Sequence, residues 1–99
     1  MSSSAGNRLE QYTAKRPQEV LLVTATVDNQ IDQFVIFKGY SSSLMQPTAF
    51  DPDIPVLPDT ARIITIDRLE GPYDPNYPRY LQQGLTWEAF LPLLVEVGV

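Results

Sequence analysis

The side chains able to do chemistry fall into four groups. Asp51, Asp53 and Asp59 share one stretch punctuated by Pro52, Pro55 and Pro58. Carboxylates two residues apart can open a Ca²⁺ loop, but that loop then needs a third oxygen ligand, a Gly at position 6 and a Glu at position 12. This chain has Pro55, Val56 and Arg62 at those places, so the acids read as turn and capping groups. Lys38-Gly39-Tyr40-Ser41-Ser42-Ser43 offers a cation, a glycine and three hydroxyls after a strand, the makings of an anion nest. No Gly-Lys-Ser/Thr follows, so it is no P-loop. A polar strand end with serines bonded to backbone is the simpler reading.

Tyr73, Tyr77 and Tyr80 stand with Arg68 and Arg79 in an aromatic, basic cluster. Tyrosines of this kind cover a core edge with wet hydroxyls, fill a protein interface or stack on bases. Asp67, Arg68 and Glu70 could make an acid/base pair, but a surface or structural ion pair is the plainer outcome. The missing residues say as much. The chain has no histidine and no cysteine. Histidine-based triads, thiol nucleophiles, disulfides and zinc fingers are all excluded. We therefore expect no enzyme, no cofactor and no metal.

The elements that must position these groups are readable from period and punctuation. Val20 to Val27 is a β-branched, apolar strand. Leu21, Val23, Ala25 and Val27 share one face; Val20, Leu22, Thr24 and Thr26 share the other. Asp28-Asn29-Gln30 is turn chemistry. Ile31 to Tyr40 follows as a second strand, with Phe34 and Ile36 opposite Val35 and Phe37. Gly39 to Thr60 holds Pro47, Pro52, Pro55 and Pro58, which forbid a helix or a central strand. Its Leu44, Met45, Phe50, Ile54, Val56 and Leu57 are too apolar for a solvated linker, so an ordered loop over the sheet is expected. Ala61 to Leu69 is the third strand, with Ile64 and Ile66 on the face of Arg62 and Arg68. A tyrosine-rich loop then leads to a helical turn at Tyr80 to Gln83, stopped by Gly84. Thr86 caps a last helix carrying Trp87, Phe90, Leu91, Leu94 and Val95 on one stripe, with a kink or break at Pro92 and a stop at Gly98.

At 99 residues the chain is one domain at most. Residues 1–16 read as a flexible, net basic N-terminal arm with room for a short helical turn around Leu9 to Ala14, and 17–99 as a single domain of class α+β: a small antiparallel sheet of three or more strands, long Pro-rich loops and a short C-terminal helix. No apolar run is long enough to span a bilayer. The net charge of −5 repels phosphate backbones at long range, which disfavours nucleic acid as a partner.

Two stretches carry a resemblance: Phe37 to Pro58, F-K-G-Y-S-S-S-L-M-Q-P-T-A-F-D-P-D-I-P-V-L-P, and Ile66 to Phe90, I-D-R-L-E-G-P-Y-D-P-N-Y-P-R-Y-L-Q-Q-G-L-T-W-E-A-F. Together they resemble a small uncharacterised family shared by cyanobacteria and chloroplasts. The resemblance implies a cytoplasmic setting of cyanobacterial type, stromal in plastid relatives, and an accessory role in photosynthetic or plastid biology. It implies no catalytic residue.

Combined with the residue inventory, this gives a non-enzymatic protein-interaction or assembly module as the expected function. Its expected partner-binding residues are Tyr40, Met45, Phe50, Arg68, Tyr73, Tyr77, Arg79 and Tyr80. The alternative is a small β-barrel-like RNA-binding module using Lys38, Arg62, Arg68, Arg79 and the basic arm. A third reading is a hydrolase that uses carboxylates alone.

Overall fold

A computed structural model of the chain describes residues 5–43, 61–71, 74 and 76–99. The element order is α1 (Ala5–Lys15), β1 (Glu19–Val27), β2 (Gln30–Phe37), β3 (Tyr40–Ser43), β4 (Arg62–Glu70), β5 (Tyr80–Leu85) and α2 (Trp87–Val97). The strands form one antiparallel sheet in the order β3-β2-β1-β4-β5. This is the expected small α+β fold, with the C-terminal helix in place. The expected loop over 44–60, Met45 and Phe50 included, lies outside the described residues.

β1 sits at the centre because both its faces are apolar. Leu21, Val23 and Ala25 join Phe34, Ile36 and Ile66 in the main core, under Leu9 and Tyr12 of α1 and Phe90 and Leu94 of α2. Tyr12 and Phe90 meet edge to face at 5.0 Å. Val20, Leu22 and Leu69 form a second cluster on the opposite face, with Val35 and Phe37 against it. The strict two-residue alternation puts each β1 side chain on the face read from the sequence.

Asp28 and Asn29 have φ of 52° and 66°. Two left-handed residues joining Val27 to Gln30 make the tight turn whose twist matches the strands it connects. The same geometry recurs at Lys38 and Gly39, with φ of 51° and 87°, and corrects the expectation of one strand to Tyr40. The chain reverses there and returns as β3. α1 anchors the turn: the Gly39 N–H donates to Thr13 Oγ1 at 2.9 Å.

Three further expectations change. Residues 5–15, expected as a flexible arm with at most a short helical turn around Leu9 to Ala14, form the whole of α1. Leu9 and Tyr12, three apart on one helix face, are fully buried, and that burial orders an otherwise polar segment. In β4 the register slips where Thr24 pairs with Thr65 and Ala25 with Ile63. The extra residue, Ile64, is a bulge that switches parity. Ile63 therefore packs against the main core alongside Ile66, while Ile64 stays exposed and Arg62 pairs across from Thr26. Tyr80 to Gln83, expected as a helical turn, belongs to β5, where pairing with β4 overrides local preference.

α2 keeps its expected caps. Thr86 Oγ1 accepts from the Ala89 N–H at 3.1 Å, and left-handed Gly98 donates to Leu94 and Val95 carbonyls. The helix runs through Pro92 without a break. Pro92 and Glu88 are both exposed, where solvent can satisfy the carbonyl that loses its helical donor. No helix among the described residues is long and apolar enough to cross a membrane.

Candidate functional site

Among the described residues, a buried polar cluster centres on Glu19. Glu19 opens β1 on the helix-covered face and is buried. Its Oε1 accepts from Tyr12 Oη at 2.9 Å and from Arg68 Nε at 2.9 Å, with Arg68 Nη2 at 2.8 Å. Arg68 Nη1 also donates to Gln82 Oε1. Burial first, then the hydrogen bond to Glu19, pushes the Tyr12 phenol up to about 12. With its charge met by a guanidinium and its oxygen taken by three donors, Glu19 is a tie between α1, β1, β4 and β5.

That tie decides Arg68. The sequence sets it with the surface tyrosines, and with Asp67 and Glu70 as a possible acid/base pair. In the fold Arg68 lies on the helix-covered face and pairs with Glu19 instead. Asp67 points to the other face, where its Oδ1 accepts from the Gly84 N–H at 2.7 Å. The Lys38–Ser43 segment is likewise engaged. Lys38 Nζ lies 5.2 Å over the Phe37 ring, Ser41 Oγ donates to Glu10 Oε2 at 2.8 Å, and Ser43 Oγ to Asp32 Oδ1 at 3.3 Å. Hydroxyls committed to carboxylates do not make an anion nest. Among the described residues no group of three or more acids is placed to hold a metal ion; Asp51, Asp53 and Asp59 lie outside them.

The surface residues fall in two places. Tyr40 pairs with Phe37, Phe37 with Val20, Val20 with Leu69, and Leu69 with Tyr80. Tyr40 and Tyr80 thus end one cross-strand row on the face away from the helices. Four strand spacings separate them by about 19 Å. Tyr40, on the β3 edge, is 77% exposed. The β5 edge holds the larger group: every residue from 76 to 84 is exposed. Tyr77 is 77% exposed, Leu81 49% and Tyr80 42%. Arg79 is exposed beside them, and its carbonyl accepts from the Glu70 N–H at 2.8 Å. Tyr73, Met45 and Phe50 lie outside the described residues. Leu81, expected within a helical turn, is not among the expected partner-binding residues.

The backbone of this edge is irregular. Pairing shifts between Arg68 and Leu69 and again between Ile66 and Arg68, so β5 carries two bulges within six residues. Gly84, at φ 70°, takes the second without side-chain strain. Bulges of this kind break the regular row of backbone groups that another strand would need.

The chain belongs to the family described as Domain of unknown function (DUF7734), which matches residues 6–94. That span takes in α1, the whole sheet and most of α2. No curated protein and no solved structure matches the chain.

Proposed function

We propose that this protein is a non-enzymatic interaction module, an assembly or regulatory accessory of a larger complex, and that it meets its partner through the β5 edge. One observation carries the reading. Residues 76–84 are exposed throughout and hold Tyr77, Arg79, Tyr80 and Leu81. Tyrosine and arginine, with tryptophan, are the residues most enriched where protein interfaces draw their energy. The absence of histidine and cysteine from the sequence supports a role without catalysis of its own. The two sequence stretches quoted above support a cyanobacterial or plastid setting, in the cytoplasm or stroma, and service to a photosynthetic or plastid-type complex.

The RNA-binding alternative draws on the same tyrosines. It loses Arg68, whose guanidinium is spent on Glu19, and it works against a net charge of −5.

The test is affinity purification of the tagged full chain at native expression, with nuclease, beside a Tyr77→Ala/Tyr80→Ala variant. The reading expects a stoichiometric protein that survives nuclease and is lost from the folded variant. A folded variant that keeps every partner overturns it.

A further inference from the structure

The interaction edge is a charge-poor centre, with Arg79 its one charge, and an acidic border. Residues 76–84 contain one charge, Arg79, and no carboxylate. The border is the reverse. Glu70 is exposed and its N–H bonds the Arg79 carbonyl; Asp74 is exposed and its carbonyl accepts from the Tyr77 N–H at 3.1 Å. Glu88 is exposed in the first turn of α2, just beyond the end of β5. None of these three carboxylates forms an ion pair among the described residues. Behind them stands a chain of net charge −5.

Interfaces of moderate size concentrate aromatic side chains at a charge-poor centre and leave charge to a rim, where it steers encounter and selects partners. From this pattern we infer that the β5 edge fits a protein surface with an apolar centre bordered by Lys and Arg. The inference rests on the interaction reading and adds the partner's chemistry to it. The two bulges exclude a regular added strand, so recognition runs through side chains. The same rim repels polyanions, which sets a basic protein apart from RNA as the occupant.

The test uses the full-length protein and a phage-displayed library of random 12-residue peptides, with bound peptides located by backbone chemical shifts. The expected selection combines aromatic or aliphatic residues with Lys and Arg, and perturbs 76–85. Raising salt from about 0.05 to about 0.5 M weakens it severalfold. A folded Glu70→Lys/Glu88→Lys variant binds the selected peptides about tenfold more weakly, while Tyr80→Ala abolishes binding. Peptides that land on 76–85 but are acidic, or that ignore the charge reversal, overturn this inference and leave the interaction surface standing. Peptides that land elsewhere, or tighter binding of a 12-nucleotide single-stranded RNA at the same edge, overturn both.

Discussion

Arg68 and Glu19 are joined across neighbouring strands, two guanidinium nitrogens on a single carboxylate oxygen at 2.9 and 2.8 Å. Their side chains are only 18% and 5% exposed. A pair this buried gains little net stability from its own attraction, since desolvation offsets it, but losing one partner strands the other charge. Arg68→Ala is therefore expected to cost about 3–5 kcal/mol in urea denaturation. Replacing both residues with Met should cost clearly less than the Arg68 change alone. If the double variant is the less stable of the two, the pair is not what holds this corner.

Tyr12 gives the cluster a signature in alkali. Its ordinary pKa of 10.0 rises to about 12 in the fold, through burial and then the Glu19 hydrogen bond. Between those values the folded protein keeps a proton that the unfolded chain releases. The contribution is complete below pH 10.0 and is lost as pH climbs through about 12. Stability measured across this window should fall in the native chain and fall less steeply in Tyr12→Phe. Equal slopes would contradict the buried phenol.

Two glycines separate space from backbone strain. A Cβ on Gly71 would stand 3.1 Å from the Gln18 carbonyl and 3.4 Å from Phe37 Cε2. A Cβ on Gly84 would meet nothing within 4 Å, but its φ of +70° is left-handed. Gly71→Ala should cost about 1–3 kcal/mol through overpacking. Gly84→Ala should cost about 1–2 kcal/mol through φ alone, and Gly84→Asn should recover part of it. Equilibrium denaturation of the three variants checks both.

Much of the fold was legible because its period is strong. The faces of β1, the caps of α2 with its buried Phe90 and Leu94, and the turn at Asp28-Asn29 follow from local spacing, whereas Val95, expected on the same stripe, is 72% exposed. The rest depended on partners distant in sequence. In α1 a turn around Leu9 to Ala14 is legible, but Leu9 and Tyr12 are anchors too sparse to give the full helix without the sheet beneath. The bulge at Ile64 leaves no mark in an unbroken apolar run, and Gln82-Gln83-Gly84 becomes a strand only by pairing with β4. The surface was legible in part. Tyr77, Arg79 and Tyr80 lie in proline punctuation that keeps them outside. An ion pair at Arg68 was legible, but not its partner Glu19, which lies 49 residues earlier.

α2 offers a local check. Thr86→Ala removes the hydroxyl that caps Ala89 N–H and should cost about 1 kcal/mol, with Thr86→Ser near neutral. A thermal melt resolves the two, and an unaffected Thr86→Ala would mean that packing of Phe90 and Leu94 alone starts the helix.

The central claim is that the β5 edge touches a protein. The most direct measurement places a photo-cross-linking residue at Leu81, and separately at Lys15 on α1, in the native cell. The account predicts one nuclease-resistant protein adduct from position 81 and none from position 15. Nucleic-acid adducts at 81, or protein adducts that form at 15 and never at 81, would contradict it.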